Sequence, residues 1–407
     1  MTITNLTSKV LPYACLFLIG VLCSCGGGSG SGSNSEVTSN VDLKVQLGSQ
    51  IFSDVNLSEP QGTPCLACHR SDMGFAGNHG GKDGIAVGSK PTSIGLRNTM
   101  TNAYASFVPP FSFITTDGET EASGGLFWDG RVDTPALQAL NPFLNSLEMN
   151  NNNKAVVVQK VASSSYASLF KQVFGNQVFN NTDTAFSNIG VAIAAFELAQ
   201  RQEFSSKYDA MIQGKAKFTP AESRGMALFQ DSTKGNCAAC HLMTPNSQKP
   251  SDSLFSEYTF YATGIPRNTA IPLNANVTFY DLGLCGPERT PPSLPNNVAP
   301  GVTIEDFCGK FRMPTLRNVT ERPAFMHNGF FKNLRDVVQF YSTRNSDPTR
   351  WYGPSGVMND LPTKYLGNIE STKPPFNRLA NQGPALTNNE IDDIISFLHT
   401  LSDGYVP

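Results

Sequence analysis

The 407-residue chain is short of three things, and each shortage narrows what it can be. It lacks a charge excess: 30 Lys and Arg stand against 33 Asp and Glu, a net charge of −3, so there is no electrostatic footprint for nucleic acid. It lacks an alternating apolar-polar pattern of any length, which points to a mainly α fold with long loops. It also lacks a comfortable membrane span, because the apolar run from Val10 to Leu22 is broken by Pro12 and is too short. The length leaves room for two or three domains, each with its own core.

What stands at the N-terminus reads as an export signal, with one early cation, Lys9, before that apolar run. The run ends in Leu22-Cys23-Ser24-Cys25, which resembles a bacterial lipobox and makes Cys25 the lipidated first residue of the mature protein. An ordinary signal peptide cleaved nearby is the alternative. Residues 26–35 contain only Gly, Ser and Asn and form a flexible tether with a reach of roughly 20 Å. The expected organisation is a signal over 1–24, a tether over 25–40, and two domains over 41–214 and 215–407. The expected location is the periplasm, with the outer membrane touched only through the lipid.

Two motifs carry the chemistry: Cys65-Leu66-Ala67-Cys68-His69 and Cys237-Ala238-Ala239-Cys240-His241. In C-x-x-C-H the thiols form thioethers to the vinyl groups of a haem and the histidine binds its iron. A four-thiolate zinc knuckle would leave both histidines without a role, and the segment between the motifs far exceeds a usual zinc loop. The fold class is therefore mainly α, with two cytochrome c-like domains each wrapping one covalently bound haem. A composition of 27 Phe against 11 Tyr and 2 Trp suits apolar walls around a large flat cofactor. Of nine cysteines, Cys15, Cys23 and Cys25 fall in the signal and four in the motifs, leaving Cys285 and Cys308. These bracket a Pro-rich insert, Gly286 to Phe307, with little capacity to order itself; a disulfide closing it stabilises by about 3 kcal/mol on the loop-entropy model.

The chain also repeats itself. Leu47-Gly48-Ser49-Gln50-Ile51-Phe52-Ser53-Asp54 precedes the first motif and Arg224-Gly225-Met226-Ala227-Leu228-Phe229-Gln230-Asp231 the second, both of the form Gly-x-x-aliphatic-Phe-x-Asp. Thr219-Pro220-Ala221-Glu222 is a capping box that opens the second of these helices, and Thr387-Asn388-Asn389-Glu390 opens a final one. The apolar stretch Ala185 to Gln200 is expected to cross between the halves. Leu96-Arg97-Asn98 recurs as Leu316-Arg317-Asn318, and Phe127-Trp128-Asp129-Gly130 more loosely as Met326-His327-Asn328-Gly329. Twelve residues beyond those glycines stand Pro142 and Tyr341. Tyr341 has an oxygen that can close the second iron opposite His241, whereas proline has none and leaves the first open opposite His69. Tyr341 is equally readable as a core aromatic on a helix over Asn333 to Tyr341. Peroxide cleavage at an open iron needs a distal proton carrier. Glu148 is the best-placed candidate, with Gln138 able to orient a water, although both also read as solvated polar residues.

Leu126-Phe127-Trp128-Asp129-Gly130-Arg131, Gln138, Pro142, Glu148-Met149, Pro314-Thr315-Leu316-Arg317-Asn318-Val319 and His327-Asn328-Gly329 together resemble the bacterial di-haem cytochrome c peroxidase and MauG superfamily, over about residues 41–402. The resemblance implies that Glu148 and Gln138 are the distal acid-base pair and that Trp128 lies between the haems. It implies Tyr341 as an iron ligand of the MauG-like branch, where ordinary peroxidases have methionine. His79 lacks the Gly-His-Gly context of the capping histidine in ordinary peroxidases and reads as a loop histidine. His327 reads as a hydrogen-bonding residue near the second haem, and His399 as a satisfied residue of the terminal helix. Gly235 stands where MauG carries a surface tryptophan that conducts electrons, which tells against the full MauG reaction. A calcium ion in the family uses an asparagine matching Asn98 and two carbonyls, here near Arg322 and Ala324, where the sequence departs. The implied reaction is peroxide reduction with electrons from a small c-type cytochrome or a cupredoxin. Peroxide-driven modification of a partner protein is the alternative, and a plain electron-transfer cytochrome a third. Monomer and homodimer both stay open.

Overall fold

The computed structural model describes residues 39–81, 84–380 and 382–407. The signal, the lipobox cysteine Cys25 and nearly all of the tether lie outside the described residues. Among those described, no helix is long and apolar enough to cross a membrane.

Twelve α-helices are found among the described residues: α1 Asn40–Ser53, α2 Cys65–Cys68, α3 Pro135–Gln138, α4 Asn141–Leu144, α5 Lys154–Ala162, α6 Ala167–Phe174, α7 Thr182–Gln200, α8 Lys207–Ile212, α9 Pro220–Gln230, α10 Leu334–Thr343, α11 Thr349–Tyr352 and α12 Asn388–His399. Residues Ser39–Pro407 form one compact unit with two large apolar cores. The first is built on α1 and α7 around Leu47, Ile51, Phe143 and Ile189. The second is built on α9 and α12 around Phe229, Phe255, Ile394 and Phe397.

The repeated Gly-x-x-aliphatic-Phe-x-Asp segment is the device that builds each core. A Cβ on Gly48 would stand 2.0 Å from the Ala192 carbonyl oxygen of α7, and one on Gly225 would stand 1.9 Å from that of Asp393 on α12. Each helix therefore meets its partner backbone to backbone, and only glycine fits. One turn on, Phe52 packs on Phe196 with ring centroids 5.3 Å apart and Phe229 on Phe397 at 5.2 Å. Asp54 and Asp231 end the helices by accepting from the backbone N–H of Asn56 and Thr233, each at 2.8 Å. The two expected capping boxes, Thr219 with Glu222 and Thr387 with Glu390, are formed.

Two expectations are corrected. The Ala185–Gln200 stretch does not cross between halves: α7 lies within the first core, held there by the close approach of Gly48 to Ala192 and of Gly190 to the Ala136 carbonyl. The Pro-rich insert is ordered, because Phe307, 1% exposed, packs with Ala122 and Phe260 against a hairpin, and Thr120 Oγ1 accepts from the Ala299 N–H at 2.8 Å. That hairpin pairs β1 Ser112–Thr116 with β2 Glu119–Ser123 around Asp117-Gly118, both at positive φ. The Asp-Gly turn was its legible signal; the apolar Ile114 on its exposed face and the polar Thr115 and Thr120 on the other hid the alternation. A second pair joins β3 Phe260–Tyr261 to β4 Phe311–Arg312, and Cys285 is bonded to Cys308 at the foot of the insert.

Candidate active site

Two cavities lie over the two C-x-x-C-H motifs. The first is lined by Cys65, Cys68, His69, Gln138, Pro142 and Glu148, the second by Cys237, Cys240, His241, Tyr341, Leu334 and Phe376. On the proximal side they are built alike. The Nδ1 of His69 is 3.0 Å from the Phe75 carbonyl and that of His241 is 2.9 Å from the Phe255 carbonyl. Both phenylalanines hold a positive φ that turns this carbonyl toward the ring. With Nδ1–H donating there, Nε2 keeps its lone pair for a metal. Burial pushes both imidazoles down to about 4, which keeps them neutral. The four motif cysteines are in no disulfide.

On the distal side the repeat holds its register and then breaks. Phe127 and Met326 share a positive φ, as do Gly130 and Gly329. The bridge from Leu126 to Val132 recurs from Phe325 to Phe331. Thr134 caps α3 by accepting from the Leu137 N–H, and Asn333, at the same offset, caps α10 by accepting from that of Asp336. From there α10 runs on unbroken through Tyr341, while α3 stops at Gln138 and α4 carries Pro142 in its first turn. The gap-free count thus places Pro142 over the first cavity and Tyr341 over the second. Tyr341 sits against the Phe376 ring at 5.1 Å with its hydroxyl 3.9 Å from Met326 Sδ, and burial pushes that hydroxyl up, with the Cys240 and Cys237 sulfurs adding to the rise and Arg344 opposing it.

Glu148 is set by the loop after α4. Its N–H donates to the Asn145 carbonyl at 3.0 Å, and its own carbonyl accepts from the Ser89 N–H at 2.7 Å. Gly88 permits this, since a Cβ there would stand 2.2 Å from the Leu147 oxygen. Burial pushes the Glu148 carboxyl up to about 7; Glu288 adds to the rise, and Arg131 and Asn145 oppose it. Trp128, 9% exposed, lines both cavities, and its Nε1–H donates to the Asn98 carbonyl at 2.8 Å. His79 lines neither cavity and engages the Val87 carbonyl through Nδ1 at 2.7 Å. His327 lines the second, stacked on Phe311 at 3.6 Å between centroids.

Each cavity thus presents two unpaired thiols, a neutral imidazole with a free nitrogen, and mostly apolar walls, the donor set and shape that a covalently held haem requires. A family model, "Di-haem cytochrome c peroxidase", matches residues 42–217. The chain is similar to the methylamine utilization protein MauG of Paracoccus denitrificans, 30% identical over 398 residues, 97% of this chain and 96% of that one. It belongs to the di-haem cytochrome c peroxidase and MauG family. It is also similar to the cytochrome-c peroxidase IdrP1 of Pseudomonas sp. strain SCT, 25% identical over 73% of this chain and 71% of that one. The solved structure of the diheme peroxidase BthA from Burkholderia thailandensis superposes with a TM-score of 0.80 at 35% identity, covering 88% of this chain and 86% of that one. As a member of the family the chain is an oxidoreductase acting on peroxide, and membership implies two c-type haems.

Against that family two local features stand out. Gly235 is buried, and a Cβ on it would stand 2.5 Å from the Leu228 oxygen, so no side chain fits there. Asn98 directs its Nδ2 to the carbonyls of Ala324 at 3.1 Å and Met326 at 3.3 Å, so of the carbonyls expected near Arg322 and Ala324 only the latter meets it. Nothing in the motifs marks three further lining residues. Arg312 is 4% exposed, lines both cavities and donates to Met100 Sδ at 2.7 Å. Glu197 on α7 accepts from Asn102 Nδ2 at 2.7 Å and is pushed by burial up to about 7; an acid inside an apolar helix was its signal. Glu288 reaches the first cavity from the insert.

Proposed function

We propose that this chain is a periplasmic, lipid-tethered di-haem peroxidase that reduces hydrogen peroxide in the half over 41–214, using electrons passed through the half over 215–407 from a small c-type cytochrome or a cupredoxin. The observation that carries this reading is the broken register: Pro142 offers no ligand where Tyr341 offers one, and the cavity of Pro142 is the one holding Glu148 and Gln138. Cys65, Cys68 and His69 would hold the first haem, and Cys237, Cys240, His241 and Tyr341 the second; when bound, the first supplies an open metal site and the second stores and passes electrons.

The chain's own residues handle the protons. The Glu148 carboxylate takes the proton from one peroxide oxygen and returns it to the other as the O–O bond breaks, so that peroxide, two electrons and two protons leave as two waters. A carboxyl held near 7 is suited to both halves of that transfer. Gln138, lining the same cavity, orients the water. Trp128, lining both cavities, joins them electronically. Replacing Glu148 by Gln removes the carrier and slows the reaction with peroxide by about 100-fold or more in a stopped-flow experiment; a wild-type rate in that variant would overturn the mechanism.

A second reading, oxidation of a partner protein's side chain as in the MauG-like branch, draws on Tyr341. The buried Gly235 tells against the electron route of that branch. Mass spectrometry of periplasmic proteins after peroxide treatment separates the two: a new covalent modification dependent on this chain favours the second. A calcium ion belongs to the same proposal: it would be held through Asn98 Oδ1, which has no hydrogen-bond partner among the described residues, and through the Ala324 carbonyl once that gives up its bond from Nδ2.

A further inference from the structure

The insert closed by Cys285 and Cys308 enters the first cavity, and the residue it brings is a carboxylate. Glu288 lies three positions beyond the disulfide and lines the cavity together with Glu148, Arg131 and Arg97. Its Oε2 is 3.0 Å from Arg131 Nη2 and 3.8 Å from Arg97 Nη1. The neighbouring Arg289 fixes the insert to the same loop, with Nη1–H donating to the Asp129 carbonyl at 2.6 Å and the guanidinium 3.9 Å from the centre of the Phe111 ring. Behind them Asp129, wholly buried, takes Arg97 at 2.7 Å and Arg131 at 2.9 Å, and Asp281 takes Arg97 at 2.6 Å.

The arrangement solves a problem that a distal carboxylate creates for itself. Glu148 must accept a proton and give it back, yet Arg131 stands in its field and favours the charged form. An arginine free to turn toward Glu148 would hold it as a carboxylate and impede the exchange. Glu288 prevents this by engaging Arg131 itself. It occupies Nη2 while Asp129 occupies Nη1, and it adds a negative charge of its own to the cavity.

Building on the peroxidase reading above, we infer that Glu288, carried into the cavity by the disulfide-closed insert, is a positioning residue for the peroxide reaction: it clamps Arg131 beside Glu148 and balances the charge against which Glu148 exchanges its proton. The groups that face Glu148 are Glu288, Arg131, Asn145 and the Cys68 sulfur. Those that face Glu288 are Arg131, Arg97 and Glu148; Asp129 and Asp281 pair with the arginines, and Arg289 lies in the field of Asp129, Asp133 and Arg131.

The test is an infrared titration of the ferric holoenzyme that follows the carbonyl band of protonated Glu148, assigned by its loss in Glu148→Gln. Glu288→Gln and Glu288→Ala both remove the charge and release Arg131, so the midpoint falls by on the order of one pH unit. Glu288→Asp, which keeps the charge, returns it toward the wild-type value, and the pH profile of the peroxide reaction moves in parallel. A residue that only holds the loop would alter thermal stability and leave the midpoint where it was. A wild-type midpoint in Glu288→Gln and Glu288→Ala overturns this inference while leaving the role of Glu148 intact. A wild-type peroxide rate in Glu148→Gln instead overturns the reading on which it rests.

Discussion

At the scale of single residues the account turns on a carboxyl and a phenol, both shaped by burial. Burial raises Glu148 to about 7, above the range of an exposed glutamate. The form that takes a proton from peroxide is the carboxylate, so the second-order rate with peroxide rises as pH increases through about 7 and levels off above it. Stopped-flow rates across pH 5 to 9 check this, and a profile flat through that range would show that Glu148 does not carry the proton. Burial also holds Tyr341 protonated in the absence of a metal, so binding the phenolate oxygen to iron must displace its proton. What supports Tyr341 as the proposed donor is its place on an unbroken helix over the second cavity, where the first half has a proline.

At the scale of elements, the duplicated helix pair is the unit from which both halves are made. Gly225 is the contact point of α9 and α12, and an added methyl would meet the Asp393 carbonyl at 1.9 Å. Gly225→Ala therefore destabilises by about 3 kcal/mol as the helices are forced apart. Denaturant unfolding of the holoenzyme measures it, and a wild-type midpoint would mean that the helices do not pack as described. These elements were legible in sequence because their signals are local: a capping box, a glycine three residues from an aliphatic and a phenylalanine, a C-x-x-C-H run. The twelve-residue count lands Pro142 and Tyr341 on the walls of the two cavities because the bridges, the left-handed residues and the caps between repeat without a gap. What sequence did not reveal depends on contacts between distant segments. Glu288 reaches Arg131 only because the insert folds onto the hairpin, and Arg312 reaches both cavities only because β4 pairs with β3. The apolar run of α7 was visible, but its side-by-side packing on α1 rather than a crossing depended on Gly48 and Gly190 meeting backbone.

At the scale of the whole molecule, two similar cavities share a wall, and the proposed function gives them different tasks. Trp128 and Arg312 belong to both, and Trp128 is fixed by its bond to the Asn98 carbonyl. If Trp128 connects the cavities, Trp128→Phe leaves the reaction of the first iron with peroxide in place while slowing the response of the second, which rapid-freeze spectroscopy of each iron resolves. A second iron that responds as fast as in wild type would remove Trp128 from the path. The asymmetry itself is tested most directly by the electron paramagnetic resonance spectrum of the ferric protein before and after one equivalent of peroxide. The account predicts a high-spin signal from the open first iron beside a low-spin signal from the second, with the high-spin signal lost on addition. A resting spectrum of low-spin signals alone, unchanged by peroxide, would contradict it.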